Sequence, residues 1–457
     1  MTGESEMTLL NILLYHTPLF YLTQSFWRDE AFSVLFAQRS PLEFLKVTFE
    51  PPLYYLLLHY WMKIFGTGET AVRSLSLVGF SLATVVVIHW SGKLFKSHWL
   101  SWFLPVFFFF NPMLIYYGVE ARTYGWYMFF AIASMYAYMN DRFLLYVIAT
   151  ALGLYTHTYM VIVPAVQVLH YIVIRKQIYH WKRWKTIRDD PMIRAFAATI
   201  ILFAPWLIHV ILDLSKLSSS WYFPVDFHLV VSVLGNMFVG YEGTPWFLWS
   251  FTQVLSLILL IVFVGALLPK KSRERNSFFF MMIFIPLIVT IGISFIKPLF
   301  VIRYVIPVTI AEVFLVALAI EKIKHRTLQI AAAAVALLFI IGFNMWYPEE
   351  HPKLDSRSTF FQINALMGKD DIILVDNPLI YFESKYYSKD KSKVFFYDPN
   401  NVPFPWYVGD VVVSPSEIVK TIPVYPERAF LVHADATYEI VYGMNISRKV
   451  VPPARHK

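Results

Sequence analysis

The chain has 457 residues, of which 57% are hydrophobic, 18% aromatic and only 15% charged, with a mean hydropathy of +0.53 and a formal net charge of +8. Soluble domains carry about 25% charged residues, so the composition argues against an ordinary water-soluble enzyme, and the absence of cysteine removes disulfides, thiolate metal sites and cysteine nucleophiles together. The positive excess lies mostly in short loops between apolar runs, so it reads as a topology signal rather than as a nucleic-acid-binding face.

Charge is unevenly spread. Residues 347–457 hold 13 Lys/Arg and 14 Asp/Glu, a soluble-like density, and the first 346 residues carry about half that density. The expected division is therefore a membrane module, 1–346, and a small extracytoplasmic domain, 347–457. A helix that crosses the hydrocarbon needs about 20 mostly apolar residues. Eleven runs qualify as candidates: 8–26, 71–91, 99–117, 123–139, 143–157, 158–174, 195–212, 246–268, 278–296, 303–320 and 327–346. The first lacks a positive leader and a small-residue cleavage site, so it is expected to remain as a span. With the N-terminus in the cytoplasm, Lys93/Lys96, Arg142, Arg175–Arg194, Lys270–Arg275 and Lys322–Arg326 all fall on the cytoplasmic side. Residues 27–70, 213–245, 297–302 and the tail then fall outside. Asp189-Asp190 before Pro191 reads as a helix start.

The first outer loop, 27–70, is too long and too charged to be a connector. It opens with Trp27-Arg28-Asp29-Glu30, two carboxylates within about one turn of the membrane exit. Ser40-Pro41-Leu42-Glu43 has the form of a capped helix start, with Leu42, Leu45 and Phe49 on one side of a helix expected to lie on the membrane surface. Pro51-Pro52 ends it. Leu53–Phe65 follows as a second apolar helix stopped near Gly66.

The same topology brings further polar residues to the outer face. Glu120 and Arg122 lie at the outer end of the third run, His157 at the junction of the fifth and sixth, and Lys297 and Arg303 border the tenth. Charges near a bilayer are costly unless paired or facing a wet cavity, so each is a candidate site residue. Each also has a structural reading: a local ion pair for Glu120 and Arg122, a packing histidine for His157, a snorkelling anchor for Arg303.

Beyond Trp346 a proline-containing linker, Tyr347–Lys353, leads to short strand-like runs at Ile372–Val375, Val394–Tyr397, Val411–Val413 and Ala429–Val432, with helix-compatible segments between them. This alternation predicts a small α/β domain. His433-Ala434-Asp435 reads as a surface pair.

Asp29-Glu30 after the first run, Glu50-Pro51-Pro52-Leu53-Tyr54-Tyr55, Glu120-Ala121-Arg122-Thr123-Tyr124 and Arg303-Tyr304-Val305-Ile306-Pro307 together resemble the GT-C-type integral membrane glycosyltransferases. Within that group they are most similar to bacterial relatives of the dolichyl-phosphate-mannose protein mannosyltransferases, such as aminoarabinose transferases and lipopolysaccharide galacturonosyltransferases. The resemblance covers most of residues 8–320 and lies in the order and spacing of the motifs. It implies a polytopic α-helical membrane protein of GT-C-like fold, with about eleven transmembrane helices and a small C-terminal extracytoplasmic α/β domain. It also implies transfer of a sugar from a polyprenyl-phosphate donor to a lipid, glycan or protein acceptor on the outer face of the cytoplasmic membrane.

By the same resemblance Asp29 acts as catalytic base or organises the acceptor, with Glu30 as its partner, and Arg303 and Arg122 hold the donor phosphate. Tyr54, Tyr55, Glu120, Tyr124, His157, Lys297 and Tyr304 complete the expected substrate site. One position departs from the pattern: many relatives carry His or Lys before the two prolines, whereas this chain has Glu50, a carboxylate that repels phosphate. No cofactor is implied with certainty. Asp29, Glu30 and Glu50 are the acids able to gather a divalent ion. Two other functions share the outer-face pattern, a transporter or flippase for a lipid-linked glycan and an oligosaccharide ligase or polymerase. Against the first, transporters gather polar residues at broken helices near the midplane, whereas here they gather at the surface.

Overall fold

The computed structural model describes residues 16–45, 50–175, 189–212, 224–240, 246–267 and 272–444. The chain forms two compact units. One comprises Met1–Gln24 with Ala37–Pro352, and the other comprises Ser25–Phe36 with Lys353–Lys457. Residues 25–36, at the start of the first outer loop, therefore fold with the C-terminal residues.

The larger unit is a helical bundle. Among the described residues, seven helices are long and apolar enough to cross a membrane: Glu69–Leu94, Thr158–Arg175, Pro191–Leu212, Trp249–Leu267, Arg273–Ser294, Ile302–Glu321 and Arg326–Glu350. The pair His98–Phe109 and Pro112–Val119 is apolar and long enough only when taken together, and is bent by 55° at its junction. Two of the eleven expected runs are shorter as helices, Tyr124–Met139 at 16 residues and Phe143–Leu154 at 12, so at 1.5 Å per residue the second cannot cross about 30 Å of hydrocarbon. The 8–26 run lies largely outside the described residues, which show Phe20–Thr23 as its last helical turn. Within the expected 213–245 loop, Phe227–Val239 is an apolar helix.

Local sequence explains the breaks. The bend is set by Asn111-Pro112: Asn111 accepts the Leu114 N–H at 3.1 Å as helix cap, its amide donates to the Phe238 carbonyl at 2.9 Å, and proline occupies the first helical turn. Asp190 starts the Pro191–Leu212 helix as expected, accepting the Met192 N–H at 2.9 Å. Gly66 stops Leu53–Phe65 at φ 84°. Ser40 precedes a helix of only four residues, Pro41–Phe44, and makes no side-chain cap; Glu43 turns to Arg39 instead, at 3.6 Å. Leu42 and Leu45 are exposed, and Phe49 lies outside the described residues.

Two helices cross at glycines. A side chain on Gly79 would meet the Gly125 backbone at 2.8 Å, and one on Gly125 would collide with the Ser76 carbonyl. Ser76 and residues 122–125 are thus locked together, which fixes the end of the bundle where several candidate residues lie. At the opposite end of Tyr124–Met139 and of Ile306–Glu321, Arg175 pairs with Asp141 at 3.0 Å and with Glu274 at 2.8 Å, and Arg275 pairs with Glu321 at 3.2 Å. The loop ends grouped by the charge pattern therefore do assemble on one side. The last helix continues through the expected linker to Glu350, because Tyr347 is buried and stacks on His351, with ring centroids 5.7 Å apart.

The smaller unit carries a five-stranded sheet: β1 (Ile372–Val375), β2 (Val394–Tyr397), β3 (Ile418–Val419), β4 (Ala429–Val432) and β5 (Tyr438–Val441), in the order β3-β2-β1-β4-β5. The first four are parallel and β5 is antiparallel to β4. Three expected strands are present. Val411–Val413 is not a strand; a short 3-10 turn, Asp410–Val412, follows Gly409 at φ 125°. Helices Ser356–Leu366 and Tyr381–Tyr387 flank β1 in sequence. The Arg28–Ala37 helix packs on this unit through Phe26, 4.9 Å from Tyr386, and through Phe32, 5.4 Å from Phe382 and directly over Gly409.

Candidate functional site

In the membrane unit the residues singled out from sequence come together at one end of the bundle. The Arg122 guanidinium pairs with Glu50 at 2.8 Å and donates to the Tyr55 hydroxyl at 3.2 Å, while Tyr55 donates to the other Glu50 oxygen. These residues are 67 and 72 positions away from Arg122 in the chain. Ser76 anchors the group from below, donating to the Arg122 carbonyl at 2.9 Å and lying 3.3 Å from the Tyr54 hydroxyl. Arg122, Tyr54, Tyr55 and Glu120 are all buried.

His157 is the centre of an aromatic nest. Its ring lies parallel to Tyr127 at 4.5 Å, with Tyr304 at 5.5 Å and Tyr124 at 5.7 Å, and Nδ1 accepts the Tyr159 N–H at 3.1 Å. The fields of Arg122 and Arg303 both reach it, and both also reach the Tyr124 hydroxyl, as does that of Glu120. Arg303 is buried with its guanidinium 5.5 Å from the Tyr304 ring, within cation–π range. The Tyr304 carbonyl is fixed by the Tyr127 hydroxyl at 3.1 Å. Nine candidates therefore form one assembly: Glu50, Tyr54, Tyr55, Glu120, Arg122, Tyr124, His157, Arg303 and Tyr304. Lys297 does not join by side chain among the described residues. It closes the end of the preceding helix, its N–H donating to Ile293 at 2.9 Å.

The two leading acids stand in the smaller unit, in the first turn of Arg28–Ala37. Asp29 pairs with Arg28 at 2.8 Å and its side chain is 13% exposed. Glu30 is fully buried, pairs with Lys353 at 3.0 Å and accepts the Trp27 N–H at 3.4 Å. A third-position glutamate reaching back to the residue before the helix is one half of a capping box. Arg28 and Lys353 both lie beside the Trp27 ring, at 5.7 and 5.8 Å.

Among the described residues no group of three or more His, Asp or Glu is placed to hold a metal ion; Glu30 is occupied by Lys353 and Glu50 by Arg122. His433 pairs with Asp376 at 2.6 Å rather than with Asp435, which accepts both the backbone and the hydroxyl of Thr437. Two further charged residues were not singled out from sequence. Lys353 reads there as linker. Glu312 is the lone acid inside the apolar part of Ile306–Glu321 and is fully buried, with neither oxygen hydrogen-bonded among the described residues; a charge within an apolar run was the available signal.

No family model and no curated protein matches the sequence. Solved structures do match by fold. ArnT from Cupriavidus metallidurans in the apo state aligns at a TM-score of 0.62 with 10% identity, covering 93% of this chain and 91% of that one. The same organism's ArnT bound to undecaprenyl phosphate aligns at 0.59 with 12% identity, covering 91% and 90%. With its apolar spans and small C-terminal sheet, this chain is an integral membrane protein that shares the fold of these ArnT structures.

Proposed function

We propose that the protein is a membrane glycosyltransferase that moves a sugar from a polyprenyl-phosphate donor to a hydroxyl-bearing lipid, glycan or protein acceptor on the outer face of the cytoplasmic membrane. The observation that carries this reading is the buried assembly of Arg122, Arg303, His157 and tyrosines at one end of a bundle whose fold is shared with a protein solved bound to undecaprenyl phosphate. A polyprenyl tail stays in lipid while its phosphate reaches cations at a helix end. Arginine suits that task because its planar fork meets phosphate oxygens in pairs.

The reaction is a single displacement with inversion at the anomeric carbon. The acceptor oxygen bonds to that carbon as the bond to the phosphate oxygen breaks. The acceptor proton passes to the Asp29 carboxylate, and polyprenyl phosphate leaves with the bonding electrons and one more negative charge. Arg303 acts on that growing charge, which stabilises the transition state more than the ground state. Both acids are paired with a cation, and Asp29 is the better base of the two because it keeps some exposure whereas Glu30 is wholly buried. Glu30 then fixes the turn that carries Asp29.

The test is transfer from a polyprenyl-phosphate sugar by the purified full-length protein. Asp29→Asn is expected to lower kcat by roughly 10²–10⁴-fold, the range for loss of a general base. Near wild-type turnover by that variant overturns the assignment.

A further inference from the structure

The smaller unit holds one ionisable group that the reaction above does not use. Glu383 lies in the Tyr381–Tyr387 helix, is 5% exposed, and accepts a hydrogen bond from the Arg28 backbone N–H. Its second oxygen, Oε2, has no hydrogen-bond partner among the described residues. The Arg28 N–H belongs to the first turn of the Arg28–Ala37 helix, whose leading amides have no partner within the helix. Glu383 thus ties down the backbone beside Asp29 from a place 354 residues further along the sequence.

The charges around Glu383 decide its state. Arg28 and Asp29 are the charged side chains acting on it, the first favouring its ionised form and the second opposing it. Arg28 is already paired with Asp29 at 2.8 Å. The remaining charged groups are engaged elsewhere: Tyr381 and Lys385 of the same helix both bond Glu417, Lys391 acts on Lys385, and Glu30 is held by Lys353. A second buried anion beside Asp29 would have no cation of its own, and a buried carboxyl in that setting keeps its proton.

We propose that Glu383 is the positioning residue for Asp29: it pins the first turn of the Arg28–Ala37 helix through the Arg28 N–H and, as a neutral acid, leaves Arg28 to Asp29 alone. This rests on the reading of Asp29 as the base. Burial, with Asp29 adding to it, raises the Glu383 carboxyl from 4.5 to about 8. Above that pH Glu383 becomes an anion, competes for Arg28 and loosens the turn. Activity then falls on the alkaline side through a group that touches neither substrate.

The consequence for folding has a definite sign. Unfolded, the carboxyl ionises near 4.5; folded, it holds its proton to about 8. Between those values the native state binds the extra proton, so this group's contribution to stability declines as pH rises across that window and is flat above it.

The experiment uses the full-length protein and two substitutions. Glu383→Gln keeps an oxygen for the Arg28 N–H and cannot ionise. Its turnover at pH 7 should stay within about twofold of wild type, its alkaline loss should disappear, and donor KM should not change. Glu383→Leu removes the acceptor, and kcat should drop roughly 10–100-fold at every pH, as for a displaced catalytic group. A Glu383→Gln pH profile that superimposes on wild type, alkaline limb included, overturns the proposal; a merely structural role would give that result. Hydrogen exchange across residues 26–37, corrected for intrinsic rates, reads the turn without any activity. It should accelerate above pH 8 in the wild type and not in Glu383→Gln, and equal acceleration in both overturns the proposal as well. Because exchange is independent of transfer, failure of Asp29 as base would be seen in Asp29→Asn alone and would leave this second result standing.

Discussion

The two units handle buried charge differently. In the membrane unit, one guanidinium is shared between a carboxylate and a phenol, and the neighbouring cation, Arg303, lies against an aromatic ring. A ring face beside a cation holds its orientation. In the smaller unit each acid of the helix start has its own cation, Asp29 with Arg28 and Glu30 with Lys353, and burial favours the protonated form of the remaining acid, Glu383. The first arrangement suits an anion that comes and goes. The second suits a proton acceptor whose position must not drift.

The sharpest way to break the second arrangement is Lys353→Met. It takes the Lys353 ammonium from a fully buried Glu30, and removing one partner of a buried pair costs about 3–5 kcal/mol. Thermal unfolding in detergent should show a large loss in midpoint. The double variant Lys353→Met with Glu30→Gln should recover most of it, and a double variant no more stable than the single would mean that the pair is not what holds the turn.

Next in size is Arg303→Ala in the membrane unit. Loss of a cation aimed at developing phosphate charge should lower kcat/KM for the donor roughly 10²-fold. Arg303→Lys should recover only part of that, since an ammonium lacks the planar fork. The acceptor KM should stay put. If titrating the two substrates separately shows the loss on the acceptor side, Arg303 belongs to the other substrate.

What the sequence reveals of these arrangements depends on how local each one is. Asp190-Pro191 and Gly66 mark helix ends because the signal and the structure involve the same few residues, whereas the break at Asn111-Pro112 lies inside what reads as one continuous apolar run, 99–117. Asp29-Glu30 is equally plain. Three strands are legible as apolar β-branched and aromatic runs, but Val411–Val413 has that composition and falls in the 3-10 turn that follows Gly409. Ile418–Val419 is too short to be noticed, although pairing with Phe396 and Tyr397 makes it a strand. The pattern Tyr381-Phe382-Glu383-Ser384-Lys385 looks like a surface helix, and only its packing against a segment from the other end of the chain turns Glu383 inward. The linker reading of 347–353 failed for a similar reason: a buried Tyr347 keeps the helix going past a proline whose missing N–H removes a single bond. In the membrane unit the charge pattern revealed which loop ends share a side, since that depends on topology alone. It could not reveal that Glu50 would meet Arg122, which requires the Gly79–Gly125 crossing and the Ser76 anchor.

The smallest expected effect concerns that meeting. Glu50 spends its charge on Arg122 and accepts from Tyr55. A partly exposed pair of this kind is worth about 1 kcal/mol or less, so an arriving phosphate can compete for Arg122 at modest cost. Glu50→Gln keeps the bond with Tyr55 and removes the competing charge. Donor KM should then fall by roughly 2–5-fold, about the factor that such a pair corresponds to, with kcat little changed and the benefit shrinking as salt is added. Tyr55→Phe with Glu50 intact should do the opposite, because a carboxylate relieved of one donor leans harder on Arg122. If instead Glu50→Gln raises donor KM, the carboxylate is holding Arg122 in its working position, and Arg122 must be counted among the groups that shape the site rather than those that bind the leaving phosphate.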